Sequence, residues 1–302
     1  MHIFSSKVMN VLSHENNFLG INEEDLHTYF TSKCIIQQLP YEHTSSFKTG
    51  SKNGPHSIIT NSKYVELYDI ELNEETYKKC GIATLEKLDF EGKVDEEAIN
   101  LIHGETANHL SNNKFIASLG AEHTVTYGIF KALQDKWADI GILQLDAHSD
   151  LRDSYEGNKW SHASVMARIH ELKPKIFQLG VRAQCIEESQ LMKSSSNIHC
   201  WYANDIWDND NWMEEVVDRL PKNLYITIDT DGFDPSICPS VGTPEPGGLQ
   251  WYSTLKFLKK VFQKCDVKGF DIVELNPSSD DDITAYNMAQ LCYKLIGYKY
   301  CL

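Results

Sequence analysis

The stretch that most constrains this chain is residues 140–150, IGILQLDAHSD. Its apolar run, Ile140, Ile142, Leu143 and Leu145, reads as a strand buried on both faces. The run stops at Asp146, His148 and Asp150, three metal-capable side chains at alternating positions. An extended backbone puts all three on one face. Carboxylates and an imidazole at the end of a buried strand are costly unless something pairs them. A bound cation is the simplest partner. A capping Asp beside an unrelated loop His is the plainer account of the triplet alone, and the rest of the chain has to decide between the two.

Other strands end the same way. Strands are expected at 34–39, 64–69, 114–120, 140–146, 176–181, 198–202, 224–229 and 269–275. Helices are expected after Gly54-Pro55, at 95–111, to about 136, from near Ser161, and at 212–219, 252–264 and 282–297. This alternation implies a parallel sheet covered by helices on both faces. Ligands of such sheets bind beyond the carboxyl ends of the strands. His123 follows strand 114–120, Asp229 and Asp231 end 224–229, and Glu274 ends 269–275. Four strands thus deliver acid or imidazole to one edge, which scattered surface charge does not do. The loops at 40–55 and after Asp231 are long and rich in Gly and Pro, which marks them as functional.

Composition narrows the partners. The chain has 302 residues, 28 basic against 43 acidic, for a net charge of −15. With no basic stripe, a nucleic-acid partner is not expected. No apolar run reaches the ~18 residues of a membrane span, and no signal peptide is evident. The eight cysteines form no CxxC pair, so they read as reduced thiols and the protein as cytoplasmic. One domain over 1–302 is expected, with 1–33 an N-terminal extension packed on it. The acid runs Glu187-Glu188 and Asp280–Asp282 read as helix-start or surface charge.

Asp146, Asp150, Asp229 and Asp231, with His123 and His148, can hold two divalent cations whose charges cancel the four carboxylates. An oxygen-rich set without thiolate suits Mn²⁺ better than a structural zinc. Two cations about 3.5–4 Å apart activate water near neutral pH. That makes a hydrolase that needs no Ser or Cys nucleophile, and no GxSxG elbow is present to compete.

GAEHT at 120–124, DAHSD at 146–150 and DTDGFDP at 229–235 resemble the three metal-binding signatures of the ureohydrolase family, the arginases, agmatinases and their relatives. DLRDSYEGNKWSHASVM at 150–166, GTPEPGGL at 242–249 and the loop at 40–55 resemble agmatinases, and GFDIVELNP at 269–277 matches the family's last active-site strand. The resemblance spans roughly 35–297. It implies a three-layer α/β/α fold with a mainly parallel sheet of about eight strands, and a homo-oligomer, trimer or hexamer.

By the same resemblance, His123, Asp146, Asp150 and Asp231 would hold one Mn²⁺, with Asp150 and Asp231 bridging, and His148, Asp146 and Asp229 would complete the other, with Asp146 likewise shared. Asp150 would also pass the nucleophile's proton to the leaving amine. His162 matches the proton-shuttle histidine, Glu274 the partner of the substrate guanidinium, and Thr243 a hydroxyl lining the substrate pocket. Arg152 is a further candidate for substrate contact, or simply part of a solvated loop. The chain departs from the pattern at Ala121 and Thr124 in the first signature, at His43, and at Ala183–Cys185. These departures bear on which substrate is taken.

The expected reaction is hydrolysis of a small cationic guanidino compound, with agmatine first: agmatine and water would give putrescine and urea, a step of polyamine biosynthesis. The same chemistry serves 4-guanidinobutyrate, 3-guanidinopropionate, arginine or formiminoglutamate. A non-catalytic metal-binding subunit is the reading from another class. The presence of all six ligands with His162 and Glu274 argues against it.

Overall fold

Eight strands build one sheet: β1 Cys34–Leu39, β2 Ile82–Lys87, β3 Phe115–Gly120, β4 Gly141–Leu145, β5 Ile176–Val181, β6 Ile198–Tyr202, β7 Asn223–Asp229 and β8 Asp266–Val273. In this computed structural model they lie in the order β2-β1-β3-β8-β7-β4-β5-β6, and every pairing is parallel. Residues 10–279 and 282–302 are described. The first nine residues of the N-terminal extension, and Asp280 and Asp281 of the acid run, lie outside the described residues.

Every residue of β1, β3, β4 and β5 is buried, as a sheet covered on both faces requires. Alternate side chains of β4 feed opposite cores. Leu143 and Leu145 join the cluster around Phe257 and Ile296, while Ile140 and Ile142 join the one around Ile129 and Phe130. Helices supply the outer layers. Asp95–Ser111 packs on Val125–Lys136, and Ile283–Cys301 packs on Gly54–Ser62.

The topology places the site. Strands β3, β8, β7 and β4 are consecutive neighbours in the middle of the sheet, and they are the four that run into His123, Glu274, Asp229 and Asp146. Their ends are level: Leu119 pairs with Ile272, Val273 with Asp229, and Ile228 with Leu145.

Three local expectations change. The strand at 64–69 shrinks to a two-residue ribbon, Tyr68–Asp69 against Glu74–Glu75, because Tyr64 and Tyr68 face solvent and no sheet edge adjoins them. The sheet edge is β2 instead, whose Ala83, Glu86 and Lys87 mask its strand character. A helix at Ile186–Ser194 takes in the Glu187-Glu188 run. In the extension, Val11 bridges to Leu85, and Phe18 and Leu19 are buried. All eight cysteines are free thiols, five of them buried. Among the described residues no helix is long and apolar enough to cross a membrane.

Candidate metal centre and active site

Beyond Leu145 the chain does not stay extended, so the single face expected for Asp146, His148 and Asp150 is not formed. Asp150 sits at φ 52°. Hydrogen bonds fold the loop back instead. Asp146 Oδ1 accepts from His148 N at 2.6 Å, and Ala147 O accepts from Arg182 N and Ala183 N at 2.8 and 3.0 Å. Glu188, expected at the surface, is 3% exposed. Its Oε1 accepts from Ser149 Oγ and Leu151 N at 2.8 and 2.9 Å, and its Oε2 from Cys185 N at 2.7 Å. A helix-start glutamate is thereby the anchor of the DAHSD loop.

The folded loops bring six side chains into two groups. His123 Nδ1 faces Asp150, Asp146 and Asp229 at 2.9, 3.1 and 3.5 Å. His148 Nδ1 faces Asp231 and Asp146 at 3.0 and 3.8 Å. Asp146 belongs to both. Asp229, expected with His148, stands beside His123, and Asp231, expected to bridge, stands beside His148. The cause is the 3₁₀ turn Thr230–Gly232, which starts as Asp229 Oδ1 accepts from Asp231 N at 2.9 Å. It turns Asp231 toward the end of β4, where Ala147 N and Thr243 Oγ1 donate to it at 3.2 and 3.0 Å. Gly232 permits this approach, because a Cβ there would stand 2.9 Å from Asp146 N. Arg182 holds the same turn by its backbone, donating to Asp231 O at 2.6 Å and Glu245 O at 2.9 Å.

Crowding shifts the ionisation of these groups. Burial, then the charges of Asp150 and Asp231, pushes Asp146 up to about 7. Burial, then Asp231 and Asp146, raises Asp229 well above its ordinary range. Burial opposes charge on His148, yet the hydrogen bond and charge of Asp231 carry it up to about 11. Asp231 is correspondingly held down at about 2, its burial outweighed by His148. These are the signs of an anionic cluster short of positive charge.

The donor set fits a divalent cation. His123 is 1% exposed, and its Nδ1 makes no hydrogen bond although three carboxylate oxygens surround it. Its Nε2 is engaged by Thr227 Oγ1 at 2.8 Å. An imidazole tied on one nitrogen, with the other free among carboxylates, is the usual arrangement of a metal ligand. His123, Asp146 and Asp150 form one group whose ligand atoms can converge on an ion, and Asp146, His148 and Asp231 form another.

A cavity of about 360 Å³ opens onto this cluster, lined among others by Asp150, Asp229, Glu274, His162, Arg152 and Thr243. Glu274 is tied down on two sides: its Oε1 accepts from His123 N and its own N donates to Ala121 O, both at 2.7 Å. Its backbone is left-handed, φ 64°, and burial followed by the charge of Glu122 raises its carboxyl well above the usual range. His162 opens a 3₁₀ turn rather than an α-helix. Its ring meets Tyr155 edge-on at 5.6 Å. Arg152 lies over Tyr155 at 5.5 Å with its Nε 3.9 Å from Glu188 Oε2. Thr243 does line the cavity, but its hydroxyl is committed to Asp231.

The departures fall around this cavity. Ala183 and Gln184 line it, and Cys185 caps the helix Ile186–Ser194. The N–H groups of His43 and Thr44 donate to Glu122 Oε2 at 2.8 and 2.7 Å, so the acid of GAEHT seats the 40–55 loop. Glu122, Thr44 and Arg182 were not singled out by the sequence, and Glu188 stood out only as part of an acid run. The signal available for Glu122 was its place beside His123, and for Arg182 its place directly after β5.

Comparison with known proteins agrees with this geometry. The model of the Arginase family matches residues 32–297. The N(1)-aminopropylagmatine ureohydrolase of Synechocystis sp. is 34% identical over 284 residues, covering 92% of each chain. The agmatinase of Pyrococcus horikoshii is 34% identical over 268 residues, covering 87% of this chain and 90% of its own. The solved agmatine ureohydrolase of Thermoplasma volcanium superposes with a TM-score of 0.80 at 30% identity, covering 94% of both chains. A match over nearly the whole sheet and every loop of the site makes this chain a member of the arginase family, an agmatinase-like amidinohydrolase.

Proposed function

We propose that this chain hydrolyses agmatine to putrescine and urea with two Mn²⁺ ions, which His123, Asp146, Asp150 and Asp229 on one side and His148, Asp146 and Asp231 on the other would hold. The observation that carries this is the pair of histidine-centred acid groups sharing Asp146 at the floor of a cavity that also holds Glu274. When bound, the cations supply water activated as a nucleophile near neutral pH.

The remaining roles fall to the chain's own residues. Glu274 pairs with the planar N–H fork of the guanidinium and sets its carbon over the two groups. Water adds to that carbon and the bond to the alkyl nitrogen breaks. Asp150, beside His123, takes the proton that water gives up. The leaving amine departs protonated, the proton passing through Asp150 or His162. Arg152, the cation that a carboxylate tail would want, already faces Glu188, which favours an amine-tailed substrate.

A second reading lengthens the tail. The relative from Synechocystis sp. and two from Thermus thermophilus carry the name N(1)-aminopropylagmatine ureohydrolase, so an aminopropyl extension of agmatine is the competing substrate. Urea release by Mn²⁺-loaded protein from agmatine, N(1)-aminopropylagmatine, arginine and 4-guanidinobutyrate, each with a chelated control and an Asp150→Asn control, separates these readings. A larger kcat/KM for agmatine is expected. A larger one for the aminopropyl compound selects the second reading, and no urea from any of the four sinks both.

A further inference from the structure

Behind His123, away from the cavity, lies a buried carboxylate with no part in the chemistry above. Asp271 on β8 is fully buried and accepts from three hydroxyl groups: Thr227 Oγ1 at 2.5 Å, Tyr225 Oη at 2.6 Å and Thr126 Oγ1 at 2.8 Å. Thr227 and Tyr225 stand on β7 and Thr126 on the helix Val125–Lys136. Thr227 Oγ1 is also 2.8 Å from His123 Nε2. A buried carboxylate surrounded by neutral donors is costly, so its place three residues before Glu274 and one hydroxyl away from His123 calls for a role.

We propose that Thr227 and Asp271 are positioning residues that fix the tautomer of His123 and thereby set the affinity of one divalent-metal site. A threonine hydroxyl carries one hydrogen. Asp271 Oδ1, at the shorter distance, takes that hydrogen, and Thr227 Oγ1 is left with lone pairs for the ring. His123 Nε2 must then carry the ring proton and donate it to Thr227. The ring's other nitrogen, Nδ1, is bare, and it is the nitrogen that faces Asp146, Asp150 and Asp229. With the opposite tautomer Nδ1 would hold a hydrogen where a cation has to bind.

The pair also fixes the direction of the ring, since β7 and β8 are bonded at Thr227 and Asp271 themselves. Among the described residues no such hydroxyl–carboxylate pair stands behind His148, which is more open, so the effect is confined to one of the two sites. The inference rests on the metal-binding reading above and adds to it a reason for unequal sites.

The test is metal binding, read without turnover. Mn²⁺ is titrated into the chelator-stripped full chain against a fluorescent competitor, giving affinity and stoichiometry for the parent chain, Thr227→Val, Thr227→Ser and Asp271→Asn. Thr227→Val keeps the shape and removes the acceptor. It is expected to weaken one of two sites by about 10–100-fold, the scale of lost outer hydrogen bonds to metal ligands, and to leave the other unchanged. Thr227→Ser is expected to restore the weakened site. Asp271→Asn is expected to weaken the same site, because an amide can donate to Thr227 and turn its hydrogen toward the ring. Thermal unfolding of each stripped variant identifies any that fails to fold, and the Ser and Asn variants then carry the comparison. Two sites of parental affinity in Thr227→Val or Asp271→Asn overturn this inference alone. A parent chain that binds no divalent metal overturns the metal reading and this inference with it.

Discussion

Thr44 stands between a buried acid and the candidate proton shuttle, its Oγ1 3.1 Å from Nδ1 of His162. The same hydroxyl donates to Glu122 Oε1 at 3.2 Å and accepts from His162 N at 3.1 Å. With its hydrogen committed to Glu122, Thr44 accepts from Nδ1–H, and the lone pair of His162 is at Nε2. Removing the acceptor frees the ring to present either nitrogen. Thr44→Val is therefore expected to lower kcat by roughly 10-fold or more, within the range of proton-transfer effects, with KM nearly unchanged and Thr44→Ser close to the parent. Steady-state kinetics on the three proteins decides it, and a rise in KM with kcat intact would remove Thr44 from the proton path.

Glu188 predicts a loss of both stability and metal. Its carboxylate satisfies Ser149 Oγ, Leu151 N and Cys185 N, and Glu188→Ala leaves those buried donors unpaired at about 1–3 kcal/mol for each one left dry. Because two of them flank Asp150, Mn²⁺ affinity is expected to fall along with the unfolding midpoint. Denaturant titration of the stripped protein and a metal titration check the two effects separately. An unchanged midpoint would mean that the DAHSD loop does not depend on this anchor.

Acid groups in the centre make the metal-free protein sensitive to pH in a defined direction. Asp146, pushed up to about 7, holds a proton in the folded chain where the unfolded chain has lost it. Its contribution to stability is full below the ordinary carboxylate range and is lost as pH rises through about 7. His148, raised to about 11, contributes fully below the ordinary imidazole range and loses that contribution progressively from there up to about 11. Asp231, held at about 2, contributes above the ordinary carboxylate range and loses its share only in strong acid. Between mildly acid and mildly alkaline pH the folded chain binds more protons than the unfolded one at Asp146, at Asp229, whose carboxyl is also raised, and at His148, so the stripped protein's midpoint is expected to fall. Mn²⁺ displaces the proton on Asp146, so its affinity is expected to rise over the same range. Calorimetric scans across this range with and without MnCl₂ test both, and a metal affinity that falls with rising pH would contradict the assignment of Asp146.

Gly232 predicts the effect of one methyl group. A Cβ there would meet Asp146 N and Cα and Leu145 C at 2.9–3.0 Å, all backbone atoms that have no rotamer to move. Gly232→Ala is expected to cost about 1–3 kcal/mol, the scale of overpacking. It should also separate Asp231 from the end of β4, reducing metal stoichiometry. Chemical denaturation with metal analysis of the purified variant reads both, and full stoichiometry would show that the turn can yield.

Much of this was legible before any coordinates. Runs such as Ile140–Leu145 and Leu224–Ile228 are mainly apolar, a pattern that a sheet covered on both faces imposes on its strands, and the acids at their ends mark the edge where the site forms. Edge strand β2 escaped because Ala83, Glu86 and Lys87 carry little strand signal and the burial of Ile82–Leu85 comes from neighbours distant in sequence. The partition of Asp229 and Asp231 escaped because residues two apart diverge once a 3₁₀ turn intervenes. Glu188 read as helix-start or surface charge because an acid pair at a helix start usually is, and Glu122 gave no signal beyond its place beside His123; only the fold brings the backbone donors of other loops to them. Thr227 and Asp271 look like ordinary strand residues until β7 and β8 lie side by side.

Asp150 and Glu274 both hang from left-handed backbone, at φ 52° and 64°, a region that side chains other than Gly, Asn and Asp enter at a cost. Strain of this kind is on the order of 1–3 kcal/mol at Glu274 and smaller at Asp150, since Asp tolerates this region better, and it falls on the two carboxylates that the reaction is proposed to use. Glycine at either position would relax the backbone and dilute the crowded charge while ending turnover. Heat tolerance and catalysis therefore pull these two positions in opposite directions. A screen of this chain for thermal survival alone would enrich inactive proteins, so selection for a hardier enzyme has to score turnover in the same step.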